Sequence, residues 1–144
     1  MQTGKMINRI SNRLRRRSRA IQETVGISGA QGNILDYIIV ESGNHSVYQK
    51  EIEEEFGLRP STATETLKAL EQKGLIRREA EKQDARYKKI VFTEKAETLK
   101  VALRREIEES EQLLLAGVTE SEQKEFLRIA EHMLKNLDEA GKEG

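Results

Sequence analysis

Val47-Tyr48-Gln49-Lys50-Glu51-Ile52-Glu53-Glu54-Glu55-Phe56-Gly57-Leu58-Arg59-Pro60-Ser61-Thr62-Ala63-Thr64 is the stretch whose reading decides the fold. Gly57 suits the left-handed position that ends a helix, and Pro60 has its φ preset for the first turn of the next. Two helices joined by so short a turn make a helix-turn-helix, whose second helix enters a DNA major groove. Downstream the chain runs through Leu67 and Leu70 to Gly74-Leu75-Ile76, then through Asp84-Ala85-Arg86 to Ile90-Val91-Phe92-Thr93. That pattern is two short strands joined by a charged tip, a β-ribbon beside the helix pair. The whole reads as a winged helix-turn-helix.

Helices flank this unit on both sides. Ile7, Ile10, Leu14, Ile21 and Val25 follow a three-four spacing, which predicts an amphipathic helix over about 5–25, ended by Gly26. Ser28 to Gln31 has capping-box spacing, and Ile34, Leu35, Ile38 and Ile39 give the next helix a buried stripe. Residues 42–46 form a turn, and Ile52 and Phe56 are expected to face Ala63, Leu67 and Leu70 across the motif. Thr93 caps a long helix with Leu99, Leu103, Ile107 and Leu114 on one face. Thr119-Glu120-Ser121-Glu122 opens a last helix with Phe126, Ala130, Met133 and Leu137 inward, and the tail from Gly141 is expected to fray. No internal repeat, low-complexity stretch or linker interrupts the chain. The expected fold is mostly α with a small β component, a single domain over 1–144. Its winged helix-turn-helix spans about 28–96, and dimerisation helices span about 5–25 and 97–140.

Composition narrows the function. Only 36% of the 144 residues are hydrophobic and 35% are charged, which is lean for a self-contained core and suits helices that complete their burial in an oligomer. Apolar stripes at both ends of the sequence are more than the central unit can cover, so a second copy of the chain is expected to cover them, the other reading being a monomeric helical bundle. There is no cysteine, so disulfides and thiol redox sensing are excluded. His45 and His132 lie far apart in sequence, read as ordinary surface or packed histidines, and no metal or other cofactor is expected. No apolar run approaches the ~20 residues that span a bilayer, so no membrane partner is expected and the cytoplasm is the expected location. No phosphate loop, His-Glu-x-x-His, nucleophile elbow or Cys-His pair is present, and the chain does not read as an enzyme.

Net charge is zero, yet the charges are segregated. Residues 1–20 hold Lys5, Arg9, Arg13, Arg15, Arg16, Arg17 and Arg19 without an acid, and the ribbon holds Arg77, Arg78, Lys82, Arg86, Lys88 and Lys89. Acids gather at Glu53–Glu55 and in the C-terminal third. One basic face and one acidic end fit a nucleic-acid partner. The Arg-rich start has two other readings: a solvated helix face, or an organellar transit peptide. Against the latter, the apolar spacing runs on past Glu23.

Taken in order, Gln49-Lys50-Glu51-Ile52, Pro60-Ser61-Thr62, Leu70-Glu71-Gln72-Lys73-Gly74-Leu75-Ile76, Asp84-x-Arg86 and Phe92-Thr93-Glu94-Lys95 resemble the MarR family of bacterial transcriptional regulators. The match covers the central third of the chain by motif, and the flanking helices agree in length and pattern. Ala96 departs from the family's usual Gly, and Glu65 stands where a basic residue is common on the recognition helix. The resemblance implies a homodimer with interleaved terminal helices, and a repressor that responds to a ligand. It also implies a pocket for a small aromatic or phenolic effector between the dimer helices and the reading unit.

The expected double-stranded DNA contacts follow. Pro60, Ser61 and Thr62 form the first turn of the recognition helix, where free N–H groups and hydroxyls hold phosphates. Arg59, Thr64, Glu65, Lys68 and Gln72 lie opposite Ala63, Leu67 and Leu70 and face the groove. Arg86 is the residue the resemblance marks for the minor groove, with Asp84 accepting from its guanidinium and Lys82 and Lys88 beside it. The alternative function is a structural DNA-binding or protein-interaction module without an effector. A cavity lined by Tyr37, Ile38, Tyr48 and the first helix favours the regulator, and a solid core there favours the module.

Overall fold

A computed structural model describes residues 2–84 and 86–143 of the chain. In order the elements are α1 (Thr3–Thr24), α2 (Gly29–Glu41), α3 (Gln49–Phe56), α4 (Pro60–Gln72), β1 (Ile76–Ala80) and β2 (Lys88–Phe92). After a 3-10 turn at Glu94–Ala96 come α5 (Glu97–Leu114) and α6 (Glu120–Glu143). By packing, the chain divides into two compact units, Met1–Glu108 and Glu109–Gly144. None of the helices is long and apolar enough to cross a membrane among the described residues.

The core of the first unit is organised around α2. Its Leu35 and Ile38 are fully buried, as are Ile52 of α3, Leu67 and Leu70 of α4, with Ile90 of β2 and Leu103 of α5 nearly so. The N-terminus of α2 is fixed by the capping box read from sequence: Gln31 N–H donates to Ser28 Oγ at 3.1 Å, and Ser28 N–H to Gln31 Oε1 at 3.0 Å. Gln22 of α1 lies directly over Gly32, where a β-carbon would meet its Nε2 at 2.2 Å. A glycine there lets the two helices approach closely.

Turn chemistry sets the helix-turn-helix. Gly57 ends α3 at φ 62°, ψ 36°, and Leu58 N–H closes the end by donating to Glu53 O at 2.9 Å. Arg59 is extended at φ −69°, ψ 149°, and Pro60 opens α4. Gln49 Nε2 donates to Thr64 Oγ1 at 2.9 Å, a polar clasp between the two helices. Phe56 packs its ring edge on Tyr37, centroids 5.8 Å apart. The strands pair antiparallel in the register Ile76↔Phe92 to Ala80↔Lys88. Ile90 N–H donates to Val47 O at 2.8 Å, which draws the lead-in to α3 alongside the ribbon.

The flanking helices depart from the sequence reading in extent and burial. α1 begins at Thr3 and ends at Thr24, with Gly26 at φ 68° just beyond it. α6 does not fray at Gly141 but continues to Glu143. One helical glycine costs only about 1 kcal/mol against alanine, too little to stop a helix already propagating. In the second unit, Thr119 and Glu122 cap α6 reciprocally, at 2.9 and 3.1 Å. Of the residues expected inward, Ala130 and Met133 are half-buried, whereas Phe126 and Leu137 are 61% and 71% exposed. Leu114, expected on the buried face of α5, is 43% exposed. A two-helix unit has too little chain to cover every apolar stripe it carries.

Candidate nucleic-acid interface

The recognition helix α4 is divided cleanly between two environments. Ala63, Leu67 and Leu70 are fully buried, while Arg59, Pro60, Ser61, Thr62, Glu65, Lys68 and Gln72 are exposed. No side chain caps the start of α4, so its first-turn N–H groups remain available to an anion such as a phosphate. Thr64 stands apart from the others. It is half-buried and accepts from Gln49, so its hydroxyl is engaged in holding α3 to α4.

The ribbon places its cations unevenly. Arg86 is held by Asp84 through four hydrogen bonds: Nη2 to Oδ2 at 2.7 Å, Nε to Oδ1 at 3.1 Å and to Oδ2 at 3.2 Å, and its backbone N–H to Oδ1 at 3.0 Å. The Arg86 contacts hold the Asp84 carboxyl below its ordinary range and raise the guanidinium in turn. The Arg86 side chain is nonetheless 85% exposed, a fork fixed at its root and open at its tip. Lys82 and Lys88 are exposed beside it. Arg77 and Lys89 instead pair with Glu79, at 2.6 and 3.9 Å, which leaves less positive charge on the strand than its composition suggests.

Two fastenings of the wing escape a reading of local pattern. Arg78 Nε lies 2.8 Å from Glu71 Oε1, an ion pair from β1 to the end of α4, though without hydrogen-bond alignment. Tyr48, just before α3, donates its hydroxyl to Glu81 at 2.6 Å and meets Tyr87 edge to face at 6.3 Å. Both tie the ribbon's angle to the reading helices. A lysine or arginine in a strand gives no sign in sequence of which distant acid it will meet.

Tyr37, Ile38 and Tyr48 have different surroundings. Ile38 is fully buried in the core. The Tyr37 ring lies on Phe56, and its hydroxyl donates to Glu51 Oε2 at 2.8 Å. Tyr48 faces the wing. Helical and turn positions close in sequence point these three side chains in different directions. An apolar groove of about 470 Å³ lies between the end of α1 and the start of α5, lined by Ile21, Val25, Leu75, Leu99 and Ala102 with Lys95 at hand. Among the described residues no cluster of three His, Cys, Asp or Glu side chains is placed to hold a metal. His45 faces the Ser46 carbonyl at 2.9 Å and Glu41 Oε2 at 3.2 Å, and these acceptors, the carbonyl first, raise its pKa.

An exposed recognition face beside a fixed basic wing defines the DNA-binding winged helix-turn-helix class. A model of the MarR family matches residues 25–86. An uncharacterised HTH-type transcriptional regulator of Bacillus subtilis, YybA, is 28% identical over 102 residues, covering 71% of this chain and 68% of that one. Staphylococcus aureus MepR in its DNA-binding conformation superposes with a TM-score of 0.82 at 26% identity, covering 95% of this chain and 99% of MepR. MepR in complex with DNA does so with a TM-score of 0.58 at 26% identity, over 93% and 98% of the two chains. Across its central winged helix-turn-helix the protein is thus similar to the MarR family of transcription regulators.

Proposed function

We propose that the protein is a repressor that binds a pseudo-palindromic DNA duplex as a homodimer and releases it when a small aromatic effector binds. The observation that carries this reading is the division of α4: three fully buried residues seat the helix, and its opposite face is exposed. The dimer is supported by apolar surface on both terminal helices. Met6, Ile7 and Ile10 of α1 are 38–49% exposed, and Phe126, Leu134 and Leu137 of α6 are 56–71% exposed. Apolar patches of that kind mark association surfaces. In a two-fold dimer the recognition helices enter successive major grooves about 34 Å apart. The groove between α1 and α5 supports an effector, since its walls are apolar and belong to a helix of the dimer surface and to one that continues from the wing. Sedimentation of the full chain against a form lacking residues 1–20 tests the reading. The full chain should be a dimer, and the truncated one should release monomers or precipitate. A truncated monomer that still binds one palindromic duplex tightly overturns it.

At the wing, Arg86→Ala should weaken duplex binding about 10- to 100-fold per dimer and flatten its salt dependence, because one cationic contact per wing is lost. Unchanged affinity and slope over a salt series would assign Arg86 to the hairpin alone.

Glu65 is exposed on the outer face of α4. A carboxylate lowered between phosphates is repelled and loses hydration, and the base edge that suits it is the amino group of cytosine. Glu65→Ala should therefore weaken binding to the selected duplex by roughly 1–3 kcal/mol while strengthening binding to random DNA. Competition between the two duplexes at one salt concentration decides it. Uniform tightening would make Glu65 a repulsive filter and not a base contact.

A further inference from the structure

Away from the DNA face, α1 and α5 are joined at Glu106, and α2 carries a buried carboxyl oxygen that the reading of DNA does not use. From α1, Ser18 is 8% exposed and donates Oγ to Glu106 Oε2 of α5 at 3.2 Å. Arg17 Nε lies 3.7 Å from the other Glu106 oxygen. From α2 comes Asp36, whose Oδ1 is buried without a hydrogen-bond partner. A carboxylate oxygen removed from water and given no donor favours its protonated form. Burial, and then the charge of Glu106, push Asp36 up to about 7.

Other charged groups of these helices have partners of their own. Arg17 of α1 supplies a cation on the Glu106 side. Arg104 of α5 is turned to the end of α2, its Nη2 donating to Ile39 O at 3.4 Å. Glu41, the other acid of α2, is turned to His45.

We propose that Asp36 and Glu106 form a proton-operated clasp joining α2 to α1 and α5, so that loss of the proton loosens the reading head and lowers affinity for DNA. With the proton in place, Asp36 adds no second charge to the field of Glu106. Without it, two carboxylates share the neighbourhood of the Arg17 guanidinium in a site closed to much of the solvent. α2 cannot yield alone, because Ile34, Leu35, Ile38 and Ile39 share one core with Ile52, Leu67 and Leu70. Any shift of α2 against α1 and α5 carries the recognition helix with it. The clasp rests on the homodimer reading, in which a change of that kind alters the spacing of the two recognition helices. By linkage, DNA that prefers the closed arrangement must also tighten its hold on the proton.

The test is the affinity of the full chain for one labelled duplex, selected from a random pool. It is measured from about pH 5.5 to about pH 8 at fixed ionic strength, for wild type, Asp36→Asn and Glu106→Gln. Wild-type affinity should fall about tenfold or more across that range and level off at its upper end. Asp36→Asn, neutral throughout, should lose no more than about twofold, the remainder reflecting groups such as His45 that titrate in all three proteins. Glu106→Gln should keep a response displaced to lower pH, since Asp36 no longer feels a second charge. An Asp36→Asn profile that coincides with the wild type overturns the clasp alone, as does a flat wild-type profile. Sedimentation of the same samples separates the underlying reading: a monomer at every pH overturns the homodimer, and the clasp with it.

Discussion

Leu67→Ala is expected to lower the stability of the fold by about 2–5 kcal/mol, the range for emptying a leucine site in a packed core. Leu67 is fully buried on the inner face of α4, in the core that also holds Ile52 of α3 and Leu35 and Ile38 of α2. These neighbours belong to different helices and cannot all collapse into the space left behind, so a cavity penalty adds to the lost burial. Because the same side chain seats the recognition helix, duplex binding should fall together with stability. Lys68→Ala, one residue on and exposed, should change stability by no more than about 0.5 kcal/mol. Urea denaturation of both variants checks the pair. A Leu67→Ala midpoint indistinguishable from that of Lys68→Ala would mean that α4 is not seated through this face.

The second large effect is on stability against pH. Asp36 has a folded-state pKa of about 7 against 3.8 for the free group, with burial the larger cause and Glu106 the smaller. Its folded-state value is the higher one, so the folded protein holds a proton that the unfolded chain has given up between those two values. The stability contributed by this group is therefore fully present below about pH 4, declines as pH rises, and levels off above about pH 7. A shift of about three units sets a ceiling near ~4 kcal/mol, and partial contact with solvent brings the expected loss to about 2 kcal/mol. Asp84, Glu122 and Glu125 act in the opposite sense. Hydrogen bonds to Arg86, Thr119 and Arg128 hold them low, and their contribution fades as pH falls through their depressed range. The difference between the wild type and Asp36→Asn isolates the buried group. In thermal unfolding, that difference should slope between about pH 4 and pH 7 and be flat above. A difference curve flat throughout would show that Asp36 already finds a donor in the native protein.

Much of the reading head was legible because its signals are local. Gly57 beside Pro60 specifies how one helix stops and the next starts, and both act within a single turn of chain. The capping pairs Ser28 with Gln31 and Thr119 with Glu122 span three residues, and Asp84 holds Arg86 across two. The alternation of Ala63, Leu67 and Leu70 with Ser61, Thr62, Glu65 and Lys68 declares which side of α4 is inside. Thr64 is the exception on that helix. Its position places it near the outer face, but Gln49, fifteen residues earlier, claims the hydroxyl.

By itself, then, the sequence determined where helices begin and end in the reading head, which face of each is apolar, and where the wing turns. These follow from φ preferences, caps and a period of 3.6, all of which operate over a few residues. Tertiary structure alone decided what those faces meet. Glu71 with Arg78 and Tyr48 with Glu81 set the wing, and Gln22 rests on Gly32 at the crossing of α1 and α2. Tyr37, Ile38 and Tyr48 point to three different surroundings, and an apolar groove lies between α1 and α5. Periodicity tells which side chains must leave water but not what will cover them. The environment of Asp36, a carboxyl that looks in sequence like any polar residue of a helix, is set first by burial and then by the charge of a glutamate seventy positions away, and both come only with the folded chain.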